Sequence, residues 1–217
     1  MKKKLFVIIT VAVMLLLPAC GSSKSSSSGG STDSAANEGP GMMEIMLKDM
    51  TAGEEDLMEI AGLDQEVTTG LLQYKVDDTV KSAHVKIMEY SGDTGKWKEI
   101  SDSFQMKTGK TGEIMVIYSN GGKTVRVALT DGENSMAANI DPGLRKFSGD
   151  KDISSAQLKG KKPIKLHEEI ALHMVAESEP GKEPDLIIGV GDYPDGKALK
   201  DYTSVRAVVI EFSDEKA

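Results

Sequence analysis

Two of the three histidines fall within residues 164–177, IKLHEEIALHMVAE, together with Glu168, Glu169 and Glu177. Imidazoles and carboxylates can move protons near neutral pH and ligate metal ions. Read as a strand, the segment turns Ile164, Leu166, Ile170, Leu172 and Met174 inward, with Glu168 as the one misfit. His167, Glu169, His173 and Glu177 then face outward. His167 and Glu169 would stand about 7 Å apart and could share a metal, whereas His173, about 20 Å from His167, could not join them. Read as a helix, Glu169, His173 and Glu177 fall at i, i+4 and i+8, a possible ligand row without the His-Glu-x-x-His spacing of zinc peptidases. The inward alternation favours the strand, and a solvated polar face is the plainer expectation than a metal site.

Aromatic side chains supply a second kind of site. Trp97 stands in DTGKWKEIS just after a turn, with Tyr90 close in sequence. Such a tryptophan stacks on a ligand ring or closes the rim of a core. Residues 189–196, GVGDYPDG, followed by Asp201 and Tyr202, gather three aspartates with Tyr193 and Tyr202. Oxygen ligands beside a tight glycine turn suit Ca²⁺, but the spacing is not that of an EF-hand, which favours a plain turn. Trp97, Tyr193 and Tyr202 are therefore the candidate ligand-binding residues, and His167 and Glu169 the candidate metal pair.

Three shorter matches carry no chemistry. Lys107–Gly112 contains Gly-Lys-Thr, but it lacks the upstream glycine of a phosphate loop and precedes a strand pattern rather than a helix. Ser148 and Lys151 match a Ser-x-x-Lys spacing without its companion motifs. No Gly-x-Ser-x-Gly elbow occurs. No catalytic residue is assigned and no cofactor is expected.

The elements that would position these residues read mostly as β. Leu72, Tyr74 and Val76 alternate, as do Ala83, Val85 and Ile87, and Val125, Val127 and Leu129. Each trio predicts a strand with one buried face, which leaves His84, beside Lys86, exposed. Residues 113–118 (EIMVIY) and 205–212 (VRAVVIEF) are apolar on both faces, which predicts central strands. Turn signals separate them at Ser91-Gly92-Asp93, Ser119-Asn120-Gly121-Gly122, Thr130-Asp131-Gly132, Glu179-Pro180-Gly181 and Asp195-Gly196. Thr51 and Glu54 have capping-box spacing before Leu57, Ile60 and Ala61, and Gly62 can close a short helix over 52–61. Met42, Met43, Met46, Leu47 and Met50 form a stripe at helical spacing, read as a short helix or strand packed on the core. An antiparallel β-sandwich or jelly-roll-like fold with one short N-terminal helix is expected.

Composition narrows the partners. The chain has 217 residues, 39% hydrophobic, 28% charged and only 5% aromatic, so its core should be aliphatic. The net charge is −8. Loss of a leader containing Lys2, Lys3 and Lys4 takes 26 basic residues to 23 against 34 acidic, a net −11. Such a body repels phosphate backbones, and no nucleic acid partner is expected. With one cysteine, no intramolecular disulfide can form.

That cysteine, Cys20, follows three lysines, an apolar run from Leu5 to Leu17 broken at Thr10, then Pro18 and Ala19. Thirteen residues are too few to span a bilayer about 30 Å thick, so the run reads as an export signal. Leu17-Pro18-Ala19-Cys20-Gly21 resembles the lipobox of bacterial lipoproteins: Leu17, Ala19 and Cys20 match, and Pro18 departs from the usual small or β-branched residue. The resemblance covers the first 21 residues. It implies cleavage before Cys20, a diacylglyceryl group on its thiol, and a place on the extracytoplasmic face of a cell membrane. Residues 1–19 are then the signal peptide, 20–41 the lipidated cysteine with a Ser/Gly-rich flexible tether, and 42–217 one β-rich domain. Besides the membrane reached through its lipid anchor, the expected partner is a protein, glycan or small ligand bound without catalysis. The alternatives are an extracytoplasmic hydrolase acting on cell-wall or polysaccharide material and a structural accessory subunit of an envelope complex.

Overall fold

The computed structural model describes residues 42–61, 67–100, 104–119, 124–140, 153–179, 181 and 186–217. The signal segment, Cys20, the tether, Gly62, Asn120–Gly122, Pro180 and Ser148–Lys151 lie outside the described residues.

Among the described residues the chain forms twelve strands and one α-helix. In order they are β1 (Glu44–Leu47), α1 (Ala52–Ile60), β2 (Val67–Lys75), β3 (Ser82–Ser91), β4 (Lys96–Glu99), β5 (Phe104–Lys107) and β6 (Thr111–Ser119). Then follow β7 (Thr124–Thr130), β8 (Ser135–Ile140), β9 (Ile153–Gln157), β10 (Lys162–Pro163), β11 (Glu169–Glu177) and β12 (Ser204–Ser213). The first sheet runs β10-β1-β2-β6-β7-β8. The second runs β4-β3-β12-β11-β9, with β5 also paired to β3. Every pairing is antiparallel.

The alternating trios bury as their period requires. Leu72, Tyr74, Val125, Val127 and Leu129 of the first sheet meet Val85, Ile87, Leu172, Ile210 and Phe212 of the second in one aliphatic core. The sheets thus form the expected β-sandwich. β6 and β12, apolar on both faces, are interior strands of their sheets. The outer face of β12 is covered as well. Ile188, Leu199 and Tyr202, from the segment between β11 and β12, pack on Ala171, Met174, Val205, Ala207 and Val209.

Of the helix or strand expected for the methionine stripe, the structure has the strand: Ile45 is buried at its centre, while Met42 projects into solvent. One local expectation changes. β11 is a strand, but its register slips between Ala171 and His173. A bulge adds one residue, so the alternation reverses beyond it. Ile170 and Leu172 face the inter-sheet core as expected, but Met174 joins the outer cluster. His173 and Glu177, expected on an outward polar face, are instead buried.

Helix α1 has its full capping box. The Glu54 amide donates to Thr51 Oγ1 at 3.3 Å, and the Thr51 amide donates to Glu54 Oε2 at 2.8 Å. None of its residues is buried. Lys48 links it to the first sheet, with Nζ 2.7 Å from Glu54 and 2.6 Å from Glu113.

Candidate functional site: an aromatic and charged strip on the second sheet

Strand alternation puts Lys86, Met88 and Tyr90 of β3 on the outer face of the second sheet, opposite Val209, Ala207 and Val205 of β12, with Glu211 two residues beyond Val209. Trp97 of β4 is the cross-strand partner of Tyr90, and their ring centroids lie 5.4 Å apart. Tyr193 arrives from the segment between β11 and β12 and meets Trp97 edge-on at 4.9 Å and 64°. The indole Nε1 donates to the Pro194 carbonyl at 2.8 Å. The Tyr193 hydroxyl donates to Glu169. Their polar ends are engaged within the protein, so the half-buried rings of Trp97 and Tyr193 present apolar surface in a fixed orientation.

The charged half of the strip adjoins it. Glu169 and Glu211 are direct cross-strand partners, a like-charge pair that is unfavourable by itself. Lys86 lies between them, its Nζ 2.8 Å from Glu169 and 2.7 Å from Glu211. Burial pushes the Glu169 carboxyl up, but the hydrogen bonds from Lys86 and Tyr193 outweigh it and hold the group below its ordinary value. Burial likewise lowers Lys86, and its bonds to the two glutamates more than restore it. Burial raises Tyr193, and the bond to Glu169 adds to that. A glycosidase pair needs one carboxyl kept protonated to act as the acid. Glu169 is displaced in the opposite direction.

The structure therefore brings Trp97 and Tyr193 together but not Tyr202. Tyr202 is buried in the outer cluster, where its hydroxyl accepts from the Ile188 amide at 3.2 Å and donates to the Leu186 carbonyl at 3.3 Å. His167 and Glu169 have separate partners. His167, at φ 62°, places Nε2 3.0 Å from Asp214 and Nδ1 3.8 Å from Glu211. No group of three His, Cys, Asp or Glu side chains among the described residues could hold a metal ion. In the 189–196 loop, Asp192 accepts from the Gly189 amide at 2.8 Å and stabilises the turn.

A second polar group, unremarked by the sequence patterns, lies between the sheets. Arg206 is almost wholly buried on the inner face of β12, and its Nε lies 3.4 Å from Glu89 of β3. Near it are buried Glu177, His173 and Tyr118. The Tyr118 and His173 rings meet across the sandwich at 4.8 Å. Burial pushes the imidazole down to about 4. Burial also raises the Tyr118 phenol, against the opposing charge of Arg206. The signal for this cluster was Arg206 itself, a charge inside a strand otherwise apolar on both faces.

No known protein family, curated protein or solved structure matches the chain.

Proposed function

We propose that the chain is an extracytoplasmic lipoprotein, held at the membrane through Cys20, whose β domain binds a glycan at the Trp97–Tyr193 strip without transforming it. The observation that carries the binding reading is the edge contact of Trp97 with Tyr193, locked by Glu169 and Pro194 onto a rigid sheet. Rings fixed in this way offer flat apolar surface at little cost in conformational freedom. The adjoining carboxylates and Lys86 supply acceptors and a donor for hydroxyl groups. The anchor rests on the Leu17-to-Cys20 pattern.

Calorimetric titration against a panel of bacterial and host polysaccharides tests the binding. For the glycan that binds, Trp97→Ala is expected to weaken affinity about tenfold, the weight of one aromatic contact. Tyr193→Phe, which keeps the ring and removes its bond to Glu169, should weaken it less. Binding indifferent to Trp97→Ala refutes the site, and a panel without any binder refutes the ligand class. Fractionation of cells carrying Cys20→Ser tests the anchor, and the variant is expected to leave the membrane fraction.

A further inference from the structure

The first sheet extends one strand beyond the sheet it faces. Tyr74 of β2 meets Phe212 of β12 at 5.3 Å, and Tyr118 of β6 meets His173 of β11. Counting outward, β7 lies opposite β9, and β8 has no strand beneath it among the described residues. Accordingly Ser135, Met136, Ala137 and Asn139 are all exposed.

An overhanging edge normally carries charge or proline that blocks further pairing. The other edges do: β10 consists of Lys162 and Pro163, and β4 carries Lys96, Lys98 and Glu99. β9 is uncharged too, but Ala156 within it packs on the outer cluster of Ile188, Leu199 and Tyr202. β8 reads SMAANI, with neither charge nor proline. An apolar row also leads to it across the outer face. Leu71 pairs with Met115, Met115 with Ala128, and Ala128 with Ala137. A groove of about 320 Å³ lies along this row, with Glu113, Thr130 and Ser135 beside it.

We propose that β8 is a homodimerisation edge, where a second copy of the chain pairs antiparallel with Ala137 opposite Ala137. The sequence of β8 is self-complementary in that register. Opposite residues of an antiparallel pair share a face, so the outer faces of both copies stay outer. The apolar rows join into one row eight strands wide, and the two grooves become continuous. Ser135 stands opposite Asn139 of the second copy, two uncharged hydrogen-bonding side chains. Met136 stands opposite Ala138, a large residue against a small one.

Charge also selects this edge. A chain of net −8 repels itself, and β8 pairs without bringing ionised side chains face to face. The nearest outer-face charge on β7 is Arg126, opposite Asn139. The two copies of Arg126 would be three strand spacings apart, about 14 Å, and farther still along the strands, beyond a Debye length of about 8 Å.

Sedimentation and cysteine cross-linking of the full chain test the pairing. At about 100 μM, where even weak pairing is populated, sedimentation should show a dimer. Ala137→Lys places two ammonium groups across the axis and is expected to raise the dimer dissociation constant at least tenfold. Ala137→Cys should give a disulfide-linked dimer under mild oxidation, well above the parent chain, whose sole cysteine is Cys20. Ala128→Cys, one strand farther from the axis in each copy, should not exceed the parent. A monomer at every concentration overturns the proposal. So does equal cross-linking of the two cysteine variants, or a dimer that Ala137→Lys leaves intact.

Discussion

His173 gives the buried cluster a measurable consequence. Its ring is packed against Tyr118 between the sheets, and burial holds its pKa near 4 rather than 6.5. Protonation would add a second cation to an interior that already contains Arg206. The unfolded chain takes up the proton near pH 6.5, whereas the folded chain resists it until about pH 4. Stability from this residue is therefore flat above about pH 7, falls as the pH drops from 6.5 towards 4, and levels off below. At about 1.4 kcal/mol per pH unit, the 1.5 units between pH 6.5 and 5 make the loss about 2 kcal/mol.

The pH window separates this effect from the carboxylates. Glu169 and Asp131 have lowered pKa values, so their contribution is present above their unfolded values of 4.5 and 3.8 and is lost only below them. Urea unfolding at pH 7.5, 6 and 5 reads the difference, with fluorescence of the single tryptophan, Trp97, as the signal. Subtracting the curves of His173→Gln removes the contributions of His84 and His167. The unmodified chain should lose about 2 kcal/mol more than the variant between pH 7.5 and 5. Parallel pH profiles for the two would refute the reasoning, whatever their difference in absolute stability.

Three further perturbations probe other parts of the structure. Lys86→Met leaves Glu169 and Glu211 opposed; it should cost about 1–3 kcal/mol at pH 7.5. Because the paired carboxyls then titrate higher in the folded state, the variant should regain stability relative to the unmodified chain as the pH falls to 5, and urea titrations at the two pH values check this. Gly112→Ala pushes a Cβ into the Thr130 carbonyl and the Tyr74 hydroxyl, so thermal unfolding should show a loss of more than about 2 kcal/mol or failure to fold. Thr51→Ala removes the cap of α1, worth about 1 kcal/mol to the helix. Since none of the helix is buried, hydrogen exchange should accelerate over residues 54–60 while the global melting temperature stays unchanged.

The sheets were legible because burial on one face writes a period of two into the sequence, and Leu72–Val76, Ala83–Ile87 and Val125–Leu129 all carry it. The helix was legible from Thr51 and Glu54, whose hydrogen bonds are local. The candidate site was only half legible. Trp97 and Tyr193 stood out by residue type, but their contact joins a hairpin strand to a distant loop, and no local spacing encodes it. Tyr202 stood out equally and is core, because the second sheet needs a cover over Ala207 and Val209. Lys86 resembled any solvated lysine until the register set it between two glutamates.

The bulge in β11 shows why the charged interior escaped the pattern. Up to Leu172 the alternation is regular, and extending it by two residues at a time puts Met174 in the core and His173 in solvent. One inserted residue reverses both assignments without changing composition. The physical constraint is two-sided: the outer cluster accepts Met174 and Ala176, while the inner face at that end contains Arg206. With alternation unbroken, His173 and Glu177 would enter the apolar cover formed by Ile188, Leu199 and Tyr202. The slip keeps them out of that cover and gives it Met174 and Ala176, while Val175 takes the inner-face place opposite Arg206. Arg206 sits in β12 by regular pairing with Glu89, so the irregularity lies in β11.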